Sequence, residues 1–590
     1  MVRVADTQLE KFPNLVSMFL TRAREKGDAP FLSKKVEGEW RSISYNEAAR
    51  QVAALAASLI RLGLRSGDRV MLVSENRPEW LIADLGIMAA GCVTVPTYTT
   101  NTTRDHQHIL ANSGASAVIV STQKLARNLL PAVLFASECR HVISIDDIIT
   151  GQSPDVAQFH HWEELVSGGS DLGAVEQRMA SVKREDLACI IYTSGTGGAP
   201  RGVMQHHGMI LHNVEGCTDV IANDFGWDEE IFLSFLPASH AYEHSGGQLF
   251  PVALGAQIYY AESLEKLAAN IEEVRPTIMV VVPRLFEMLR AKIMKQVEKD
   301  GGVPAYLMDR AMSIESKRYA GKSVPWDLPM DGILSLTLRR KVRRKFGGRM
   351  KAMVSGGAPL NPDVGLFFQA MGLPMLQGYG QTEAGPVISC NRPKAGIRMD
   401  TVGPPLLNTE VRIANDGEIM VRGELVMKGY WHNDEESARV LQDGWLGTGD
   451  VGHLDGKNRI VITDRKKDLI VNDKGDNVSP QRVEGMLTLQ PEILQAMVYG
   501  DRQPHLVALL VPDAEEMKRF KDDPEGMHKA LSKAVDRVNA DLSVIEKVRR
   551  FILADEPFSV ENEMLTPSMK IRRHVIGGVY GDRLSALFKR

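Results

Sequence analysis

Cysteine is scarce in this 590-residue chain. Its five residues, Cys92, Cys139, Cys189, Cys217 and Cys390, are odd in number, widely spaced and never in a CxxC pair. That excludes a disulfide framework and a zinc ribbon, and it points to a reducing cytoplasmic setting. A surplus of one charge is also missing. Seventy Lys and Arg face 74 Asp and Glu, for a net charge of -4, so the whole chain attracts neither nucleic acid nor an anionic membrane and any such contact must be local. No stretch reaches the roughly 18 consecutive apolar residues of a membrane span. The opening MVRVADTQLEKFPNL lacks the apolar segment of a secretory signal, so the chain is expected not to span a membrane. Long Gly, Pro or Ser tracts are absent, and 44% hydrophobic with 24% charged residues describes a folded protein. Its length exceeds one ordinary core, so two or more packed units are expected.

Short apolar runs bounded by turn residues recur along the chain: RVMLVS (69–74), AVIVS (117–121), CIIYTSG (189–195), TIMVVVP (277–283) and MKAMVSGG (350–357). They read as buried strands. Amphipathic helices precede and follow them. SYNEAARQVAALAASLIRLG opens on a capping box, Ser44 with Glu47, and stops at Gly63, while NPDVGLFFQAMG has Asn361 as cap, Pro362 in the first turn and Gly372 at its end. Strands alternating with helices predict parallel α/β sheets. After Gly452 the texture turns to Gly, Asp and Lys, and then to a smaller α/β piece whose clearest strand is LVALLVPD (506–513). A boundary is expected near 464–467.

The stretch with the most chemistry is YTSGTGGAPRGV (192–203), which follows an apolar strand. Three hydroxyls (Thr193, Ser194, Thr196) and four glycines (Gly195, Gly197, Gly198, Gly202) can bring side-chain donors and backbone N–H groups onto one anion, and polyphosphate is the obvious guest. A Walker A loop is excluded because Gly202 is followed by Val203 rather than by Lys and Ser or Thr. Taken alone, such a loop is equally a plain turn.

Together with its downstream partners the loop resembles the adenylate-forming superfamily of acyl-CoA synthetases, luciferases and adenylation domains, and the likeness spans nearly the whole chain. The pieces, in order, are YTSGTGGAPRG, LPASHAYEH (236–244), SGGAPL (355–360), QGYGQTEA (377–384), GWLGTGD (444–450), DRKKDLIVNDKGDNVSP (464–480) and LTPSMKIRR (565–573). LPASHAYEH, VPRLFE (282–287) and the LTPSMK ending are most similar to long-chain fatty acid:CoA ligases. Two departures stand out. Gly197 fills the slot of the family's second threonine and Arg201 stands for its lysine, while Met569 replaces the glycine usual before the catalytic lysine in shorter-acyl members.

The resemblance implies a large α/β N-terminal domain (1–464), a hinge (465–468) and a small α/β C-terminal domain (469–590) that rotates. It also implies ATP, magnesium and CoA as reactants or cofactors. Thr193, Ser194, Gly195, Thr196, Gly197 and Gly198 would hold the β- and γ-phosphates, Thr382 the α-phosphate, and Glu383 magnesium. Gly357, Ala358 and Pro359 would line adenine and Tyr379 would stack on it; Asp450 would accept the ribose hydroxyls and Arg465 would reach ribose and phosphate. Lys570 would be the catalytic lysine, and the loop around Gly475 would replace it when the thiol arrives. His240 stands either at the mouth of the acyl pocket or as a satisfied buried histidine.

The basic run 339–351, RRKVRRKFGGRMK, holds eight cations and no acid. A solvated helix face and a site for CoA phosphates or anionic lipid headgroups are both open, and the lack of interleaved aromatics argues against nucleic acid. The reading is a fatty acid:CoA ligase that makes acyl-AMP and pyrophosphate, then acyl-CoA and AMP. It would be cytoplasmic, with peripheral contact to the inner face of a membrane as an option. Its rivals are a ligase that loads a carrier protein and a non-catalytic adenylate- or lipid-binding protein.

Overall fold

The computed structural model describes residues 11–149, 157–168, 172–193, 200–322, 324–474, 476–566 and 571–589. Ser194, Gly195, Thr196, Gly197, Gly198, Gly475 and Lys570 therefore lie outside the described residues.

The apolar runs form strands as the sequence predicts, and they assemble into two large sheets. In the first, the order is Gln158–His161, His141–Ser144, Ala117–Val120, Arg69–Val73, Val93–Thr97 and Leu187–Thr193, all parallel, with Arg201–His206 antiparallel at the edge. The second runs Val387–Cys390, Met375–Gly380, Ala352–Ser355, Ile278–Val281, Ile231–Ser234, Gln257–Tyr260, Pro30–Val36 and Glu39–Ser44, parallel except for its two outermost strands. One core joins them: Phe31, Phe232 and Ile258 of the second sheet and Val70, Ile119 and Ile191 of the first belong to a single cluster with Trp80, Leu81 and Leu85. Those last three side chains come from the helix Pro78–Ala89, whose residues are all buried except Glu79. A helix apolar on every face has no solvent side, so it belongs inside.

The helix Tyr45–Arg61 begins at Ser44, whose hydroxyl accepts the Glu47 N–H at 3.2 Å. The expected capping box is only half made. The Glu47 carboxylate turns to Arg50 and Gln51, each at 2.7 Å, because cationic and polar partners one turn ahead compete with the cap N–H. The helix Pro362–Ala370 is capped by Asn361 as its sequence predicts.

A third sheet departs from the parallel expectation. Strands Glu410–Ile413, Glu418–Arg422, Leu441–Gln442, Trp445–Leu454 and Ile460–Arg465 pair antiparallel. Tight turns with left-handed residues, Gly417, Asp443 and Asn458, join three of the four successive strand pairs directly and so fold them back antiparallel, while the longer connection from Arg422 to Leu441 carries the helix Asp434–Val440.

Beyond it, strands Ile493–Tyr499, Leu506–Pro512 and Val548–Leu553 pack with helices Pro480–Leu487 and Pro524–Asp541 around a core of their own that includes Val483, Ala508, Leu510, Leu531 and Val535. Between the two parts, Lys466 is tied to the third sheet: its ammonium reaches Asp416 at 2.6 Å and Glu418 at 2.8 Å, and its N–H donates to the Gly449 carbonyl at 2.9 Å. Asp468 accepts from Gln481 of the following helix at 3.3 Å. Lys467, between them, is exposed and has no hydrogen bond or ion pair among the described residues.

Candidate active site

Thr193 ends the strand Leu187–Thr193 and pairs in register with Arg201, so both flanks of 194–199 sit at one edge of the first sheet. Gly202, grouped in the sequence with the anion-binding glycines, has another task. A Cβ there would lie 2.7 Å from the Ile190 side chain and 3.1 Å from the Tyr192 ring, so packing between strands requires glycine.

The returning strand gathers the next motif. Gln205 donates to the Thr382 carbonyl at 2.7 Å. Residues 427–431 run alongside: Met204 N–H donates to Gly429 at 3.0 Å, Trp431 N–H to Gly202 at 2.7 Å, and Met427 N–H to the Glu383 carbonyl at 3.0 Å. This places Tyr430 against Glu383, and the Tyr430 hydroxyl donates to Glu383 Oε1 at 2.9 Å. Arg201 lies over the Tyr430 ring, 4.9 Å from its centroid, and pairs with Glu436. Arg439 and Arg201 together hold the Glu436 carboxyl down at about 2. Arg201 is thus engaged in fixing the tyrosine that orients Glu383. Sequence reasoning missed Tyr430, Gln205 and Glu436, which are distant along the chain and belong to no motif quoted for the resemblance.

Tyr379 and Asp450 meet on the other side. Tyr379 is 8% exposed, and its hydroxyl donates to Asp450 Oδ2 at 2.7 Å. Burial, with the adjacent Asp450 charge, raises the Tyr379 pKa well above the usual phenol range, so it stays a donor. Asp450 and Arg465 are cross-strand partners, with Arg465 Nε 3.5 Å from Asp450 Oδ1. Burial works against the Arg465 charge, but Asp450, Asp468 and Glu383 more than offset it and raise its pKa. Arg465 is thus the cation on which both Asp450 and Glu383 act.

Gly357, Ala358 and Pro359 form an exposed bend after the strand Ala352–Ser355, and Gly357 has φ +80°, which favours glycine. LPASHAYEH docks against the same strand: the Tyr242 hydroxyl donates to the Val354 carbonyl at 2.8 Å, and Asn76 holds the Leu236 carbonyl at 2.6 Å and the Ala238 N–H at 2.9 Å. His240 is half-buried and caps the short helix after it, Nδ1 accepting from Tyr242 N–H at 3.1 Å. Two neighbours that the sequence did not single out are more deeply buried. Glu243 accepts from Ser234 at 2.6 Å and Gln248 at 3.2 Å, and burial pushes its carboxyl up to about 8. His244 Nε2 lies 2.8 Å from Asp84 Oδ2.

Near the C-terminal end, Leu565 and Ile571 form an antiparallel bridge and Arg572 N–H donates to Met564 at 2.9 Å, so the two flanks of 567–570 are paired with each other. Arg573 is clamped by Glu484 through two bonds of 2.6 and 2.5 Å. On the two sides of Gly475, Ile470–Val471 pairs with Asn477–Val478, and Asn472 Oδ1 accepts the Lys474 and Asp476 N–H groups at 2.9 and 2.8 Å.

Among the described residues no group of three His, Cys, Asp or Glu side chains could hold a metal by itself. A lone, half-buried Glu383 carboxylate suits a magnesium ion that takes its other ligands from substrate phosphates and water.

A family model described as AMP-binding enzyme matches residues 19–431, and one described as AMP-binding enzyme C-terminal domain matches residues 467–590. The chain is 30% identical over 600 residues to the long-chain-fatty-acid--CoA ligase FadD15 of Mycobacterium tuberculosis, covering 98% of this chain and 97% of that protein. It is 27% identical over 679 residues to the chloroplastic long-chain-fatty-acid--[acyl-carrier-protein] ligase AEE15 of Arabidopsis thaliana, covering 99% and 91%. Among solved structures, the A domain of the carboxylic acid reductase from Segniliparus rugosus, in complex with AMP and a co-purified carboxylic acid, shares the fold at a TM-score of 0.79 and 20% identity, over 98% of this chain and 95% of that one. The chain belongs to the AMP-binding enzyme family.

Proposed function

We propose that this protein is a long-chain fatty acid:CoA ligase that joins a fatty acid to ATP as acyl-AMP, releasing pyrophosphate, and then passes the acyl group to the CoA thiol, releasing AMP. The observation that carries the reading is the Asp450 carboxylate, set by Tyr379 at 2.7 Å and Arg465 at 3.5 Å, with Glu383 acting on the charge of the same arginine. A carboxylate held this way suits two ribose hydroxyls, and the adjacent polar groups suit the phosphates.

A carboxylate is a poor electrophile, and attack of its oxygen on the ATP α-phosphorus makes AMP its leaving group. The chain's task is to position the reactants and stabilise charge in line. Thr193 to Gly198 cradle the outer phosphates, Thr382 donates to the α-phosphate, and Lys570 supplies positive charge to the α-phosphate and carboxylate oxygens. Gly357, Ala358 and Pro359 line the adenine. Glu383 would hold a magnesium ion, which would supply charge neutralisation at the phosphates. His240 stands at the entrance for the acid. For the second step, Lys570 withdraws and the loop around Gly475 enters in its place.

That exchange assigns 1–464 and 469–590 to two bodies with a hinge at 465–468. Lys466 is held by the large part, while Asp468 accepts from Gln481 of the small part and donates its N–H back to the Arg465 carbonyl at 2.9 Å, which supports a pivot within the turn 465–468, where Lys467 is the residue without a tie among the described residues. The reaction uses reduced CoA in the cytoplasm. The test is fatty-acid-dependent ATP–pyrophosphate exchange followed by thioester formation with free CoA or with an acyl carrier protein. Exchange with a CoA product supports the reading, exchange with product only on the carrier protein supports the rival acceptor, and no exchange with any acid refutes catalysis.

A further inference from the structure

The strands Ile278–Val281 and Ala352–Ser355 are parallel neighbours. A crossover of about a dozen residues would join them, yet the chain between them contains helices Pro283–Asp300, Gly302–Tyr319, Leu328–Leu336 and Leu338–Lys345. The third buries only Leu334. At about 3.6 residues per turn Leu328, Gly332, Ile333 and Leu336 fall on its opposite side, where Leu328 is 69%, Ile333 49% and Leu336 73% exposed, and Trp326 just before it is 87% exposed. A contiguous apolar face that contributes nothing to the core marks an interaction surface.

Cations border it. From Val324 to Arg349 the sequence holds seven Lys and Arg against two Asp. Part of that charge is structural: Arg339 is buried on Asp331 at 2.7 Å, and Arg343 donates to the Gly372 carbonyl at 3.1 Å. Arg340, Lys341, Arg344, Lys345 and Arg349 are exposed and have no acidic partner among the described residues. Arg340 with Arg344, and Lys341 with Lys345, are like-charge pairs one turn apart, which cost helix stability. An open pocket of about 330 Å³ lies where the two features meet, lined by Ser335, Leu336, Arg340, Arg343, Arg344 and Gly348.

We propose that this surface docks on an anionic bilayer, with Trp326, Leu328, Ile333 and Leu336 entering the interface and the Arg340–Arg344 pocket taking a phospholipid phosphate. Charge complementarity selects the occupant. A cationic pocket contiguous with an apolar, Trp-bearing face matches a layer of phosphates above acyl chains. The inference does not depend on which acid the enzyme activates.

The test is flotation of the full chain with phosphatidylcholine vesicles and with vesicles in which a third of that lipid is replaced by phosphatidylglycerol. Binding is expected to the anionic vesicles, and to weaken as salt shortens the Debye length from about 10 Å to about 3 Å. At about 1 kcal/mol per surface cation, roughly fivefold each, Arg340→Gln/Arg344→Gln should bind about 25-fold more weakly. Trp326→Ser/Leu336→Ser should also lose binding, and both variants should keep wild-type pyrophosphate exchange and melting temperature. Flotation equal on both vesicle types, no flotation at all, or variants that float like wild type would overturn the proposal. So would a dimer in solution that Trp326→Ser dissociates, which would make the face a self-association surface.

Discussion

Asp450→Asn isolates the charge of the ribose acceptor with almost no change in shape. In the folded chain Asp450 accepts from Tyr379 at 2.7 Å and lies 3.5 Å from Arg465, and asparagine keeps an oxygen for the tyrosine, so melting should change little. Substrate binding is more sensitive. A hydrogen bond to a charged group contributes about 1.5–3 kcal/mol and a neutral one about 0.5–1.5, so two ribose hydroxyls together lose about 2–3 kcal/mol. That corresponds to a rise of about 30- to 160-fold in KM for ATP. The assay is initial-rate pyrophosphate exchange against ATP concentration, paired with thioester formation from synthetic acyl-AMP. Because the same adenosine is held in both steps, KM for acyl-AMP should rise by a similar factor while KM for CoA stays at the wild-type value. An unchanged KM for ATP in a folded variant, or a loss confined to the fatty acid or CoA, would refute the assignment.

Lys570→Ala should lose adenylation by several kcal/mol, on the order of 10³-fold, yet still form thioester from synthetic acyl-AMP; loss of both steps in a folded protein would make Lys570 structural. Glu383→Gln should lower adenylation on the order of 10²-fold and blunt its response to added magnesium, and wild-type turnover and magnesium dependence would contradict the role. Lys467→Pro removes an N–H that makes no hydrogen bond among the described residues, but it fixes φ inside the turn 466–468 and restricts the backbone of Lys466 before it. Thioester formation should fall more than first-turnover pyrophosphate release, whereas equal losses would move the pivot elsewhere. Glu243, raised to about 8 by burial, keeps its proton in the folded state while the unfolded chain loses it near its ordinary value of 4.5. Stability should therefore fall between about pH 4.5 and 8, by up to about 1.4 kcal/mol per pH unit, and level off above that range. Glu243→Gln should flatten this slope in melting experiments, and an unchanged slope would show that Glu243 is not its source.

The parallel strands were legible because buried strands in α/β sheets read as unbroken apolar runs, as in VMLV and AVIV. The helix Pro362–Ala370 was legible through its cap and its first-turn proline. The third sheet was not, because its strands carry charge and break up the apolar runs, as in EVRI (410–413), where exposed charged residues alternate with half-buried apolar ones. In the candidate site, each motif marked its own residues but not their partners. Tyr430 reaches Glu383 only through the pairing of 427–431 with the strand Arg201–His206, a long-range contact that no local spacing encodes. Arg201 is the sharper case: its charge invites a phosphate role, while the fold directs it to Glu436 and the Tyr430 ring. The exposure of Trp326, Leu328 and Leu336 was equally hidden, since an apolar segment reads the same whether it faces a core or solvent.

The central claim is best tested by AMP release with free CoA across saturated acids from acetate to the long-chain range. Each methylene buried in an acyl tunnel contributes about 0.8 kcal/mol, so kcat/KM should climb steeply with chain length until the tunnel is full, with acetate nearly inert. An optimum at acetate to butyrate, or AMP release that does not require CoA at any chain length, would contradict a long-chain fatty acid:CoA ligase.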